Sequence, residues 1–480
     1  MRMSRRRTLI GAAGALTSRG ALMPASAHAQ SAAAGRGPSA QDSTRRTIER
    51  RAVEAVNWGI SGANFDLMYQ AMVKAGGRYN QVVYWSRLPD WKNQTLTPNP
   101  DTIYLMPFIS TKDAGPIVIE IPPAGGGSIT GTIMDAWQGP LEDVGPAGAD
   151  QGRGGKYLVL APGHSGPIPD GYIVLPSTTF QGYALLRSNL AGGTDAEVAK
   201  AVAYGKQVRV YPLAEAANPS ATVFVDVADA VYDATIPYDL RFFQALDRIV
   251  QYEPWLERDR AMTDLLRSIG IEKGKPFSPD VQTRNILTAA ASEARAWLEA
   301  RYQVGFPPFY PGRHWAVPAL PELVRFWRTR EGYPVDARGL LYSYAYASIK
   351  HTGTGQFYLM TFRDRQGSAL DGANAYRLTV PANPPVTLYW SATVYDRATH
   401  ALIRDQTTVS RSSLSPGLQK NGDGSVEIHF AARAPAGKAS NWIPTDAKGR
   451  FEVLCRFYGP ETALLDKTWS LPDIERTTLP

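Results

Sequence analysis

The chain has 480 residues, of which 44% are hydrophobic and 20% charged, so its composition is that of a globular protein with room for two or three domains. This composition excludes a disordered, collagen-like or coiled-coil protein. The net charge is +7, but residues 1–29 hold five arginines and no acid, which leaves +2 for the rest. A nearly neutral chain lacks the clustered basic charge that attracts polyanions, so no nucleic-acid partner is predicted.

Residues 1–29 have the pattern of an export signal. Paired arginines within residues 4–10 precede a weakly apolar stretch, and the small-x-small sequence at 27–29 would be the cleavage site. We expect a twin-arginine-type signal peptide, with an ordinary secretory signal as the alternative. The apolar stretch is shorter than the ~20 residues of a spanning helix. A periplasmic or secreted protein without stable membrane insertion after signal removal is therefore predicted.

The remaining chain divides by composition into four parts. Residues 30–47 are rich in Ala, Gly and Ser and are predicted to form a flexible tether. We expect an N-terminal β-sandwich over 48–190, a helical connecting segment over 191–350 and a C-terminal β-sandwich over 351–480. Cys455 is the only cysteine, so no intrachain disulfide can hold the fold together.

Short β runs between Pro and Gly residues carry the fold prediction. They recur every ten to twenty residues or so without intervening helices, which favours antiparallel sandwiches over a parallel α/β sheet. The middle segment instead has helical periodicity, and the Ser278-Pro279 pair is typical of a helix start. The predicted fold class is mainly β with a helical middle segment and two antiparallel, jelly-roll-like β-sandwich domains.

The two β regions also echo each other, which suggests a duplication. Residues 121–123 resemble 380–385, Met134-Asp135 resembles Tyr395-Asp396, and 155–160 resembles 449–454. Ordinary strand and turn chemistry could produce such echoes as well. A shared strand order in the two domains would support the duplication, and a different order would end it.

The familiar catalytic motifs are missing. The sequence has no Gly-x-Ser-x-Gly elbow, phosphate-binding loop, dinucleotide fingerprint or His-Glu-x-x-His pair, and its histidines are widely spaced. Sequence spacing therefore predicts no metal site, and the cofactor stays unknown.

The acidic candidates lie at predicted strand ends. Asp101 and Asp135 could form the acid/base pair of a glycoside hydrolase or lyase, with Tyr104 orienting the substrate or donating a proton. The alternative is turn chemistry, in which Asn-Pro-Asp side chains bond nearby backbone N–H groups.

The binding candidates are aromatic and amide side chains and one arginine. Arg456 could clamp a carboxylate through two hydrogen bonds. The alternative is that the aromatic residues pack the sandwich core and that Arg456 neutralises Asp396. The predicted substrate-binding residues are Asn99, Trp137, Trp390, Tyr395, Asn441, Trp442 and Arg456.

These motifs resemble a known pair of domains. Residues 98–104 and 134–135 resemble the domain of unknown function 1254, and residues 368–372, 389–396, 441–444 and 456–460 resemble the domain of unknown function 1214. The resemblance covers about 50–475. It implies an exported bacterial protein with two β-sandwiches joined by a helical segment, and it implies no reaction.

The function expected from these observations is an exported hydrolase or lyase acting on a small to medium polar or aromatic substrate. A non-catalytic ligand-binding or cell-envelope interaction protein is the first alternative, and a metal-dependent oxidoreductase is the second. A small-molecule substrate is the expected partner, and a homo-oligomer is left open.

Overall fold

The computed structural model describes residues 38–329, 331–346, 350 and 355–478. The predicted signal peptide and the first part of the predicted tether lie outside these residues. The second part of the tether prediction is wrong, because helix α1 spans Ala40–Lys74. Its first turn is capped by Ser39, whose hydroxyl oxygen accepts a hydrogen bond from the Asp42 N–H at 3.0 Å.

The N-terminal β region forms a sandwich of a six-stranded and a four-stranded sheet. Its strands are β1 (Gln81–Tyr84), β2 (Asn93–Gln94), β3 (Ile103–Ser110), β4 (Ile117–Ile121), β5 (Ile129–Asp135), β6 (Pro140–Val144), β7 (Gly155–Leu160), β8 (Ile173–Pro176), β9 (Gln181–Ser188), β10 (Arg209–Pro212), β11 (Phe224–Asp226) and β12 (Tyr232–Asp233). The sheet orders are β11-β1-β3-β9-β5-β6 and β10-β4-β7-β8, and β12 pairs with β2 alone. Alternating apolar side chains such as Leu105, Ile119 and Leu186 fill the space between the two large sheets.

The helices follow, and then a second sandwich. The helices are α2 (Asp195–Gly205), α3 (Leu240–Tyr252), α4 (Arg260–Leu266), α5 (Val281–Val304), α6 (Pro321–Thr329), α7 (Val335–Tyr344) and the short α8 (Thr462–Leu465). The strands are β13 (Gln356–Thr361), β14 (Ala375–Val380), β15 (Val386–Asp396), β16 (Ser410–Ser412), β17 (Val426–Ala431), β18 (Trp442–Pro444), β19 (Phe451–Pro460) and β20 (Glu475–Thr477). The predicted mainly β fold with helices in the middle is confirmed.

The two sandwiches have the same topology. The order β3-β9-β5-β6 over β10-β4-β7-β8 recurs as β13-β19-β15-β16 over β20-β14-β17-β18. Every corresponding pair runs in the same relative direction, including the parallel pairs β7–β8 and β17–β18. This agreement is what a duplication requires. Of the three predicted echoes, the third is wrong, because residues 155–160 form β7, which corresponds to β17 rather than to β19.

The helices cover the outer face of one sheet in each sandwich, the six-stranded sheet in the first and the sheet that contains β13 and β19 in the second. Side chains of α1, α3, α5 and α7 share one core with Tyr183 of β9 and Leu454 of β19. Helix α5 begins two residues later than the Ser278-Pro279 pair suggested, because Asp280 is its cap and accepts the Thr283 N–H at 2.7 Å. Within the described residues, no helix has both the length and the apolar character needed to cross a membrane.

The close approach of β5 and β9 gives a test of this topology. Gly131 pairs with Leu186, and a Cβ at this position would lie 2.1 Å from the Leu185 carbonyl oxygen. We expect Gly131→Ala to lower the free energy of unfolding in urea by about 1 to 3 kcal/mol, because the strands must separate. Gly126→Ala is the control, since no atom lies within 4 Å of its added methyl group. Equal urea midpoints for the two variants would contradict the register.

Candidate functional site

A cavity of about 130 Å³ lies between the outer faces of the two sandwiches. Strands β3 and β9 contribute one side, β13 and β19 contribute the other, and the loop from β2 to β3 and the end of α7 complete the wall. The apolar lining residues are Trp85, Met106, Leu185, Leu341 and Leu454. The cavity is thus built from elements that are far apart in the chain and that only the packing of the two sandwiches brings together.

Two arginines at equivalent strand positions line this cavity. Arg187 of β9 pairs with Tyr104 of β3, and Arg456 of β19 pairs with Tyr358 of β13. The Cζ atom of each guanidinium lies 5.4 Å from the ring centroid of its partner tyrosine. The duplication therefore places one arginine–tyrosine pair on each side of the cavity.

None of the described residues that line the cavity is acidic. Among the described residues, no carboxylate lies within 4.0 Å of either guanidinium, although surface arginines elsewhere form many such pairs. The Nε atom of Arg187 is buried without a hydrogen-bond partner. Arginine stays protonated in proteins, so this space holds two positive charges that no neighbouring carboxylate pairs with directly.

Arg456 is held by more hydrogen bonds than Arg187. Its Nη1 donates to the Thr393 hydroxyl at 3.0 Å, and its Nη2 donates to the Thr97 carbonyl at 2.9 Å and to the Tyr395 hydroxyl. Arg456 thus fixes the β2-to-β3 loop against β15 and β19, and it faces the cavity with its remaining N–H groups. Tyr395, a predicted binding residue, acts through this contact and does not line the cavity.

Tyrosines form much of the polar lining. Tyr104, Tyr344, Tyr346 and Tyr358 all face the cavity. Burial raises the pKa of Tyr358 well above its usual range, and it likewise raises the pKa of Tyr344. These phenols therefore stay protonated near neutral pH, and they donate within the protein, Tyr344 to the Pro318 carbonyl at 3.2 Å and Tyr358 to the Gln356 side-chain oxygen at 2.6 Å.

Asn99 holds the two sandwiches together behind the cavity. Its side-chain amide donates to the hydroxyls of Tyr389 at 3.1 Å and Tyr458 at 2.8 Å, whose rings stack at 4.4 Å. Its backbone N–H donates to the Tyr104 hydroxyl at 2.8 Å. Asn99 was predicted to bind substrate, but all these contacts are within the protein, so its role is to position Tyr104.

The predicted acid/base pair is wrong in its geometry. Strands β3 and β5 are not neighbours, because β9 lies between them. Ile103, the first residue of β3, and Ile129, the first residue of β5, both pair with Ser188. Asp101 precedes Ile103 and therefore lies beyond the end of the sheet at which β3 and β5 begin. Asp135 lies six residues further along β5, so about 20 Å separates the two carboxylates. They cannot act on one bond.

Each of these carboxylates has a local role. Asp135 accepts the backbone N–H groups of Trp137 at 2.9 Å and Gly139 at 2.7 Å and so closes the turn after β5. Asp101 accepts the Ser410 hydroxyl at 2.7 Å. Neither carboxylate lines the cavity. The alternative, turn chemistry, describes Asp135 and also Asn99, whose side-chain oxygen accepts the Asp101 N–H at 3.0 Å, but not the carboxylate of Asp101, which bonds to the second sandwich.

The other predicted binding residues lie elsewhere. Trp137 packs against Trp58 at 4.8 Å in the helical core, and Trp390 lies in the core of the second sandwich. Asn441 donates to the Gln419 and Glu427 carbonyls, Trp442 donates to the Ala431 carbonyl, and neither residue lines the cavity. The alternative that Arg456 neutralises Asp396 is also wrong. Arg456 pairs with Ser391 of β15, and Asp396 lies five positions further along that strand, opposite Phe451.

A buried charge cluster next to the cavity was not predicted. The carboxylate of Glu452 lies 2.8 Å from His400 Nδ1 and accepts a hydrogen bond from the Tyr302 hydroxyl at 2.8 Å. Arg397 Nε lies 3.7 Å from the same carboxylate. His400 and Arg397 border a second cavity of about 330 Å³. The His400 carbonyl also accepts the Thr97 N–H at 2.7 Å, so the cluster supports the loop that Arg456 holds.

The sequence did contain signals for both missed features. Tyr104-Leu105-Met106-Pro107-Phe108 recurs as Tyr358-Leu359-Met360-Thr361-Phe362, and Leu185-Leu186-Arg187 recurs as Leu454-Cys455-Arg456. Aligning these strands would have paired the two arginines. A glutamate within the apolar strand 451–455 also indicates a buried, partnered charge. In the part of the chain that the structure describes, no group of three or more His, Cys, Asp or Glu side chains could hold a metal ion.

The buried cluster makes acid stability testable. Burial opposes ionisation of Glu452, but His400 and Arg397 outweigh it and lower its pKa. The unfolded chain therefore binds this proton more readily, and stability falls as the pH drops below about 4.5. We expect Glu452→Gln to be roughly 3 kcal/mol less stable at pH 7 and to lose less stability on acidification. Exposed Glu293→Gln is the control, and parallel acid profiles for wild type and Glu452→Gln would contradict the assignment.

Comparison with solved structures supports the fold. The VPA0106 protein from Vibrio parahaemolyticus is similar to this chain at 18% identity and a TM-score of 0.56, covering 90% of this chain and 100% of that one. An uncharacterized protein from Burkholderia cenocepacia has 12% identity and a TM-score of 0.40 over 91% and 95% of the two chains, a likeness too weak to support an argument. No curated protein matches the chain.

Family comparison identifies the two β regions. Residues 79–212, from just before β1 to the end of β10, match the family described as protein of unknown function DUF1254. Residues 355–462, which include β13 to β19, match the family described as protein of unknown function DUF1214. The resemblance inferred from the motifs is confirmed. The chain belongs to the proteins that pair an N-terminal DUF1254 domain with a C-terminal DUF1214 domain.

Proposed function

We propose that this protein binds a small organic anion in the cavity between its two sandwiches. The observation that carries the proposal is the pair of guanidiniums, Arg187 and Arg456, in a lining without acidic residues. Isolated buried charge is costly unless it is paired. A bound carboxylate would supply that pairing through charge-assisted hydrogen bonds, which are the stronger class.

The size and the walls of the cavity limit the ligand. A protein cavity of about 150 Å³ holds a benzene molecule, so the present one suits a compound of about that size. Trp85 and the tyrosines offer ring faces for packing, and the two guanidiniums offer hydrogen-bond donors. A compact organic acid fits these constraints, whereas a polymer end or a lipid chain does not.

An acid–base enzyme is the second candidate. One observation favours it: His400 is oriented by the buried carboxylate of Glu452 and borders the larger cavity. A histidine held in this way is the usual arrangement of a general base. Asp101 and Asp135 no longer support this candidate. Loss of turnover in His400→Gln, with anion binding unchanged, would favour it over simple binding.

We also propose that the protein works outside the cytoplasm. The support is the paired-arginine and small-x-small pattern of residues 1–29. Expression of the full chain in a bacterium with twin-arginine export, followed by fractionation, should place a shortened form in the periplasm or medium. Replacing Arg5, Arg6 and Arg7 with Lys should keep the chain in the cytoplasm. A full-length wild-type chain in the cytoplasm would refute the proposal.

Arg187 offers the cleanest test of anion binding. We expect Arg187→Gln to weaken binding of a small carboxylate about tenfold or more in isothermal titration calorimetry, because a charge-assisted contact is lost. Arg187 makes no salt bridge with any residue that the structure describes, so the variant should fold. Arg284→Gln, an exposed change on α5, is the matched control. Unchanged affinity in Arg187→Gln, or no binding of acetate, benzoate or succinate by wild type, would refute the proposed function.

A further inference from the structure

We propose that the ligand of the inter-sandwich cavity is a short dicarboxylate, with one carboxylate directed to Arg187 and the other to Arg456. This inference rests on the proposed function and specifies its ligand class. The inference depends on there being two guanidiniums at equivalent positions in the two sandwiches, and one arginine alone would not support it.

The two guanidiniums are counterparts on opposite walls. Arg187 and Arg456 occupy equivalent positions on β9 and β19, and each pairs across its sheet with an equivalent tyrosine. On each strand the neighbouring side chains point into the sandwich core, as Leu186 and Cys455 do. The arginines therefore project from the outer face of each sheet, and both reach the same cavity.

The charge of the cavity calls for two negative groups. Its lining contributes two positive charges and no negative one. Asp101 is close enough for its charge to act on Arg456, but its carboxylate lies outside the lining and is bonded to Ser410 at 2.7 Å. Burial raises the pKa of Asp101, while the positive charge of Arg456 acts to lower it. A monocarboxylate would leave one guanidinium without an ionic partner.

The two ends of the ligand would be held differently. Arg456 already donates to Thr393, Thr97 and Tyr395, so it offers only part of its fork. Arg187 lines the cavity, interacts with the Tyr104 side chain and forms no ion pair among the described residues, so more of its guanidinium is left for a carboxylate. The cavity volume of about 130 Å³ limits the spacer between the two carboxylates to a few carbon atoms.

Succinate and butyrate make a matched pair of probes, since they have the same chain length and differ by one carboxylate. At pH 7.5, with titration calorimetry on the folded wild-type chain, we expect succinate to bind at least tenfold more tightly than butyrate. Arg187→Gln should remove this preference by weakening succinate more than butyrate. Arg187→Lys keeps the charge and should retain part of the preference. Melting temperatures of both variants within a few degrees of wild type would show that they are folded.

The outcomes separate the two proposals. Equal affinity for succinate and butyrate would overturn the dicarboxylate inference and leave anion binding intact. Inorganic phosphate binding more tightly than succinate would also overturn it, because the site would then take one compact dianion. Absence of binding by succinate, butyrate, benzoate and phosphate alike would refute the proposed function itself. A succinate preference that Arg187→Gln leaves unchanged would place the dicarboxylate site elsewhere in the protein.

Discussion

The packing of two arginine-bearing sheet faces against one another dominates this structure. The sheet that contains β3 and β9 and the sheet that contains β13 and β19 each have one face in the apolar core of their sandwich, and the other face lies towards the shared helical layer. Arg187 and Arg456 lie on these outer faces, where a buried cation is tolerated only with compensating contacts. Arg456 obtains them from the β2-to-β3 loop and β15, while Arg187 interacts with the ring and the hydroxyl of Tyr104 and lines the cavity. This difference between the contacts of the two arginines is the basis of the proposed binding site.

The contacts around the cavity form one continuous network. Asn99 connects Tyr104 of the first sandwich to Tyr389 and Tyr458 of the second. Thr97, two residues earlier, connects Arg456 to the backbone of His400 and so to the buried Glu452. Such polar networks are rigid when all their members are satisfied. The same loop thus links the smaller, arginine-lined cavity to the larger one bordered by His400.

Duplication explains why a site of this kind can arise between two domains. A single sandwich would present one arginine–tyrosine pair on an exposed sheet face, where water screens the charge. Two copies of that face, brought together and covered by helices, enclose both pairs in a space of low polarity. The equivalent strands have since diverged: β19 carries the buried Glu452, and its neighbours supply the partners for Arg456 that Arg187 lacks.

The amino-acid sequence by itself determined the β-rich class, the helical middle and the two related sandwiches, because alternation along a strand and punctuation by Pro and Gly are local properties. It also singled out Tyr104 and Arg456. Only the tertiary structure separated Asp101 from Asp135, since β9 enters between β3 and β5 from a distant part of the chain. It also brought Arg187 and Arg456 to one cavity. Strand order and domain packing depend on contacts between residues hundreds of positions apart, and no local pattern specifies such contacts.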